Sequence, residues 1–366
     1  MRFVLFAHSL VSCWNHGNAH FLRGIARALL RGGHDVRVFE PRHGWSRENL
    51  IRDAGAAAID DFGQYFPDLA PLVSFVTDDV ESMLDGTDVI LVHEWTEPEL
   101  VRRIGRAKPP RSVLLFHDTH HRAVSDPPAL KSYDLSRFDG VLAFGESLAQ
   151  VYRRWGWGAR AFTWHEAADI SVFAPPNVEG PRTGAVWIGN WGDGERSADL
   201  QEYLLRPLHD EHVPLDVHGV RYPADALQLL VRWGARYHGW LPNFAAPGMF
   251  ARHLMTVHVP RRWYAARLPG IPTIRLFEAL ACGIPLISAP WQDCEGLFRP
   301  DADFLIAATP SAMRAHVRAV QNDADFRARL AANGLATVRA RHTCEHRVAQ
   351  LLLTIAALRG VQAEAA

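Results

Sequence analysis

Lysine is almost missing from this chain. It occurs only at Lys108 and Lys131, so arginine carries nearly all the positive charge. The 39 Lys and Arg are balanced by 40 Asp and Glu, for a net charge of -1. That leaves no electrostatic footprint for nucleic acid, and no nucleic-acid partner is expected. Cysteine is scarce as well. Cys13, Cys282, Cys294 and Cys344 show no C-x-x-C spacing, which points to a reducing compartment and no disulfide framework. No apolar run reaches about 18 residues, so no membrane-spanning helix is expected. The opening "MRFVLFAHSLVSCW" has one Arg and a short apolar run. His8 then interrupts it and no small-residue cleavage site follows, so a buried strand is the better reading and a cytoplasmic location is expected.

What the chain has is length, apolar content and alternation. Its 366 residues, 48% of them hydrophobic, exceed one compact core and suit two domains. Short apolar runs alternate with amphipathic segments: "RFVLFAH", "HDVRVFEP", "DVILVHEW", "SVLLFHD" and "GVLAFGES" in the first half, then "AVWIG", "LDVHGV", "ARYHGWLP", "LMTVHVP" and "IPLISAP" in the second. Between the first runs, "NAHFLRGIARALLRGG" has helical spacing and ends at Gly32-Gly33. This alternation predicts βαβ units and parallel sheets, with ligands at the carboxyl ends of the strands. The fold class expected is α/β, with two doubly wound Rossmann-like domains facing a cleft. The Pro/Gly-rich stretch "FAPPNVEGPRTG" reads as the linker. The expected division is 1–172, a linker at 173–184, 185–340, and a C-terminal helix at 341–366 that packs back on the first domain.

One carboxylate stands out. In "TIRLFEALACGIPLISAPW", Glu278 sits among Leu276, Phe277, Ala279 and Leu280, just before a Gly-x-Pro break. Burying an unpaired carboxylate costs several kcal/mol. Either Arg275 is its structural partner, or it meets a polar ligand.

The loops after the strands supply other candidates. Gly17 precedes the first helix, where backbone N–H groups and the helix dipole favour an anion or a sugar hydroxyl; the alternative is an ordinary turn capped by Asn15 or Asn18. "SVLLFHDTHH" gathers His117, Asp118, His120 and His121 at a strand end, in a spacing that matches no zinc pattern. A sugar contact or a base is expected there, against a plain surface turn. Arg196, after a glycine-containing loop, is a candidate for gripping phosphate, or else pairs with Asp199. Arg261 and Arg262 follow another strand in "HVPRRW". Trp240 in "YHGWLPN" either meets a planar base or belongs to a core. Asp301, Asp303, Asp323 and Asp325 read as turn and helix-start residues rather than metal ligands.

Together, "FHDTHH", "WIGNWGDGER", "YHGWLPN" and "RLFEALACGIPLIS" make the chain resemble a GT-B glycosyltransferase. The nearest likeness is to the spore-maturation-protein (CgeB-like) type, allied to the large retaining family that uses nucleotide sugars. The resemblance covers nearly the whole chain. It implies an acceptor-binding first domain, a nucleotide-sugar-binding second domain, and a donor plus a hydroxyl-bearing acceptor as partners. It assigns Glu278 to the ribose hydroxyls, His117 to the transferred sugar and Gly17 to the donor. Asn190 stands where an arginine is usual, so Arg196, Arg261 or Arg262 must serve the diphosphate. The first acid of the family's E-x7-E motif falls on Gly270, which leaves the backbone N–H groups of Ile271 and Thr273 to face the diphosphate or sugar. No cofactor and no metal are expected.

Two stereochemical outcomes stay open at this point. Retention places phosphate oxygen and acceptor hydroxyl on one face of the sugar. Inversion needs a base in the first domain, for which His20 or His16 oriented by Asp118 is the candidate. Two other functions fit the same architecture: a nucleotide-sugar 2-epimerase, and a non-catalytic nucleotide-sugar-binding protein.

Overall fold

The computed structural model describes residues 1–192 and 194–364. Two compact units form: Met1–Glu166 with the residues from Cys344 onward, and Ala167–Thr343.

The first unit is built on a seven-stranded sheet. Its strands are β1 Arg2–Phe6, β2 Asp35–Glu40, β3 Val73–Phe75, β4 Val89–His93, β5 Val113–Asp118, β6 Gly140–Ala143 and β7 Ala161–Thr163. They lie in the order β3-β2-β1-β4-β5-β6-β7 and are all parallel. Parallel strands covered on both faces need continuous apolar runs, and β4 and β5 are buried at every position. Helix Asn18–Arg31 is buried along most of its length and packs against helix Cys344–Glu364. That last helix is clasped further: Trp164 Nε1 donates to the Arg347 carbonyl at 2.8 Å, and Arg347 Nε donates to the His165 carbonyl at 3.0 Å.

The second unit repeats the plan with six parallel strands. These are β8 Ala185–Ile188, β9 Leu215–His218, β10 Arg236–Tyr237, β11 Met255–His258, β12 Leu286–Ser288 and β13 Leu305–Ile306, in the order β10-β9-β8-β11-β12-β13. Helix Ile274–Ala281 is buried on all sides. Helix Ala324–Arg341 reaches it through Gly334, where a Cβ would come within 2.8 Å of Leu280 Cδ2 and 2.7 Å of the Asp303 carbonyl. Only a residue without a side chain permits that approach.

Both strand orders reverse direction once, at β1/β4 and at β8/β11. In doubly wound sheets the crevice outside the carboxyl ends at such a switch point is where ligands bind. The two doubly wound Rossmann-like domains read from the sequence are both present. The division between units falls at Glu166/Ala167, ahead of the Pro/Gly-rich stretch, because Ala168 and Phe173 are buried in an apolar core of the second unit. No helix among the described residues is long and apolar enough to cross a membrane.

Candidate functional site

In the first unit the loop after β1 is pinned from below. Glu40, the last residue of β2, is fully buried, and its Oε2 accepts from Ser9 Oγ at 3.0 Å and from the Leu10 and Val11 N–H groups at 2.7 and 3.2 Å. Arg23 donates to the Leu10 and Val11 carbonyls, both at 2.8 Å. A carboxylate and a guanidinium thus satisfy four backbone groups that an irregular loop would otherwise bury unpaired. Gly17 ends this loop as an ordinary right-handed residue at the helix start. The cap position is Gly17 itself, and Asn18 does not cap the helix; its Nδ2 donates to Glu166 Oε1 at 3.0 Å.

This pinned loop brings histidines together. The rings of His8 and His16 lie 5.0 Å apart, His16 and His93 5.8 Å, and His93 and His117 5.7 Å. His117 continues the row to Trp164 at 4.9 Å. Burial disfavours the charged form of each: His8 is lowered to about 4, His117 to about 3, and His16 and His93 fall well below the usual histidine range, pushed further by their neighbours. The row is therefore a set of neutral imidazoles. The Nε2 atoms of His16 and His117 are buried without a hydrogen-bond partner.

Beside the histidines lie two acids. Glu94 and Asp118 follow His93 and His117 and are fully buried. Burial raises both, Asp118 to about 6 and Glu94 well above the carboxylate range, and the nearby Asp118 adds to the effect on Glu94. Arg122 pairs with Glu94 at 2.7 Å. Asp118 accepts from Tyr152 Oη at 2.7 Å and from the His120 N–H at 3.0 Å. Each oxygen accepts one hydrogen bond, and neither comes from His20 or His16, so the expected orientation of either by Asp118 does not form. His20 is buried in helix Asn18–Arg31. His121 Nδ1 pairs with Ser125 Oγ at 2.9 Å, and the His120 and His121 rings lie 4.0 Å apart.

In the second unit the candidates gather around the ends of β8, β11 and β12. Arg196 is buried rather than offered to solvent. It donates to the Val259 carbonyl at 2.8 Å and to the Asn190 carbonyl and Oδ1 at 2.6 and 3.0 Å, and its guanidinium lies 5.2 Å from the Trp187 ring. Burial and Arg261 lower it to about 10, so it keeps its charge at neutral pH. In place of the alternative pairing with Asp199, Arg196 forms a strut that ties the loop after β8 to the loop after β11. Asn190 is an acceptor in that strut. Arg261 pairs with Glu195, and Arg262 stays exposed at the start of a short helix.

Glu278 was expected at the mouth of a cleft. It lies instead fully buried in helix Ile274–Ala281, and Arg275 donates to its Oε2. Arg275 is thus the donor that the sequence reading allowed for, because a carboxylate among Phe277 and Leu280 needs one. Gly270 has φ +86°, and a Cβ there would come within 3.1 Å of Cys294 Cβ. Ile271 is buried, and its carbonyl accepts from Trp291 Nε1 at 3.2 Å. Thr273 Oγ1 lies 3.2 Å from His258 Nε2, whose Nδ1 lies 3.0 Å from Ser288 Oγ. Burial lowers His258 to about 3. Trp240 is half-buried, with its Nε1 enclosed and unpartnered. Asp303 is buried against Arg299 at 2.7 Å and Asp323 caps a helix through the Phe326 N–H, so these two act as turn and helix-start residues.

Sequence reasoning passed over Glu40, His93, Glu94, His258 and Glu195. A signal existed for two of them: "LVHEW" and "LLFHD" both end a strand in histidine followed by an acid. Among the described residues no group of three or more His, Cys, Asp or Glu side chains is placed to hold a metal ion.

Residues 196–353 match the family model described as glycosyl transferase-like. A search of curated protein sequences gave no match. Among solved structures, an alpha-glucosyltransferase in complex with UDP and DNA superposes with a TM-score of 0.70 at 11% identity, over 97% of this chain and 99% of that one. Sucrose-phosphate synthase from Thermosynechococcus elongatus gives 0.67 at 15% identity, over 99% and 100%. S. aureus TarM, in a complex containing UDP, gives 0.68 at 8% identity, over 97% and 99%. The chain thus shares the GT-B architecture of these glycosyltransferases, and residues 196–353 carry the glycosyl transferase-like match.

Proposed function

We propose that the chain moves a sugar from a nucleotide-sugar donor to a hydroxyl-bearing acceptor, without a divalent cation and with retention at the anomeric carbon. The carrying observation is the neutral histidine row at the ends of β1, β4 and β5. An efficient general base has a conjugate acid near the working pH. His16, held well below the usual histidine range by burial, is a poor one, and Asp118 accepts from Tyr152 and a backbone N–H rather than from His16 or His20. Inversion through a first-unit dyad loses its support. In a retaining step the bond from the anomeric carbon to phosphate oxygen breaks, and the acceptor oxygen bonds to that carbon on the same face. The acceptor proton passes to the departing phosphate. The products are a glycoside and a nucleoside diphosphate.

The chain's residues then have definite roles. Neutral His117 donates or accepts a hydrogen bond at a sugar hydroxyl without carrying a charge. Arg262 and Arg261, with the N–H groups near Thr273, meet the charge that develops on the diphosphate. Arg196 positions the loops of Asn190 and Val259. Glu278 accepts from ribose hydroxyls while Arg275 holds its other side. UDP-sugars are the donors to try first, because two of the structural relatives hold UDP. The net charge of -1 speaks against a DNA acceptor like that in the alpha-glucosyltransferase complex.

The test is incubation with a panel of nucleotide sugars in excess chelator, reading nucleoside diphosphate release and the anomeric configuration of the product. Slow release in chelator and a retained configuration are expected. Epimer formed without release would indicate the epimerase. Tight binding with no turnover would indicate a binding protein. Activity abolished by chelator and restored by magnesium or manganese would overturn metal independence.

A further inference from the structure

Two tryptophans are exposed at the carboxyl edge of the first sheet: Trp45 at 45% and Trp95 at 42%. Trp45 begins the helix after β2, and Trp95 lies two residues beyond β4. Between β2 and β4 runs β1, which delivers His8. The result is a row along the sheet edge. The His8 ring is 6.3 Å from Trp45 on one side and 6.3 Å from Trp95 on the other. Each indole is also braced. Trp14 meets Trp45 edge-on at 5.0 Å, and the Arg122 guanidinium lies 4.1 Å from the Trp95 ring. His16, directly behind His8, holds a buried Nε2 that has no partner.

Large aromatic faces are costly to leave in water, and a braced pair of them at a ligand-binding sheet edge marks a binding surface. Several charges around this one are matched. Arg122 pairs with Glu94, Arg47 with Glu40, and Arg52 with Asp53, which also accepts from Trp14 Nε1. The surface therefore offers flat apolar faces and uncharged hydrogen-bonding nitrogens. A pyranose matches that combination: its C–H face packs on an indole and its rim hydroxyls bond to imidazole nitrogen.

We propose that Trp45, His8 and Trp95 form the acceptor platform of this enzyme and that the acceptor is an uncharged saccharide. This rests on the glycosyltransferase reading above and names its acceptor class. Trp45 and Trp95 present indole faces to sugar rings, and His8, between them, meets a rim hydroxyl.

The experiment is calorimetric titration of the full chain, held with excess UDP, using neutral malto-, cello- and manno-oligosaccharides on one side and a heparin fragment and a 13-mer DNA on the other. UDP alone is titrated separately, so a failure of the donor reading shows itself apart from a failure of the acceptor proposal. At least one neutral saccharide series should bind. Trp45→Ala and Trp95→Ala should each weaken it about three- to tenfold, the range of a well-placed aromatic contact, and Trp45→Phe and Trp95→Phe should recover most of the loss. No binding of any neutral series, binding of the charged probes alone, or alanine variants that bind as the wild type does would each overturn the proposal.

Discussion

His93 and His117 are register partners at the carboxyl ends of β4 and β5, and each is followed by a buried acid. This register sets imidazole beside imidazole and brings the two following acids near each other. The physics of the site follows. Burial keeps the imidazoles neutral and pushes the acids toward their protonated forms.

The first prediction is acid sensitivity. Histidines lowered in the folded state bind fewer protons there than when unfolded. Their contribution is intact above about 6.5 and is lost as pH falls through that value toward the folded one. At pH 5, His117 and His258, each lowered to about 3, cost about 2 kcal/mol apiece. The acids work the other way: Asp118, raised to about 6, relieves a penalty as pH falls through that value. The first unit holds five lowered histidines, His8, His16, His34, His93 and His117, against two raised acids, Glu94 and Asp118. Urea denaturation at pH 7.5 and pH 5 should show a net loss, smaller by about 2 kcal/mol in His117→Gln. A variant with the wild-type pH difference would refute the assignment.

Glu278 gives the second prediction. Glu278→Gln keeps the side-chain volume and an acceptor for Arg275. It should leave the unfolding midpoint nearly unchanged while weakening UDP binding about ten- to a hundredfold, the value of a hydrogen bond to a charged group. Arg275→Met should do the reverse, destabilising by at least about 2 kcal/mol because it strips a fully buried carboxylate of a donor. Equal UDP affinity in wild type and Glu278→Gln, read by calorimetry, would confine the acid to a structural role.

Gly270 supplies the third. Replacing it by glutamate would recreate the family's two-acid spacing, yet the backbone forbids a simple exchange. At φ +86°, with Cys294 Cβ 3.1 Å from the added carbon, Gly270→Glu should cost about 1–3 kcal/mol and raise no turnover. Denaturation curves and steady-state rates check both halves. A stable, faster Gly270→Glu would mean that the loop is free to take the family's usual form.

The sequence by itself determined the doubly wound plan. Buried parallel strands must be continuous apolar runs, and helices between them must be amphipathic or buried, so both are written locally. β3, β7 and β13 escaped notice because they have two or three residues and lie at or near sheet margins, where little burial is demanded. Glu278 was conspicuous for the same local reason: an acid in an apolar helix needs a partner. What only the tertiary structure decided was the partner. Arg196 looks like a phosphate grip in sequence, but the fold closes Val259 and Asn190 around it. Asp118 looks like the orienter of a histidine, but Tyr152, 34 residues away, takes its oxygen. Histidines from β1, β4 and β5 become one neutral row only because the sheet sets those strands side by side. Hydrogen-bond partners and dielectric surroundings depend on distances between remote segments, and no local pattern encodes them.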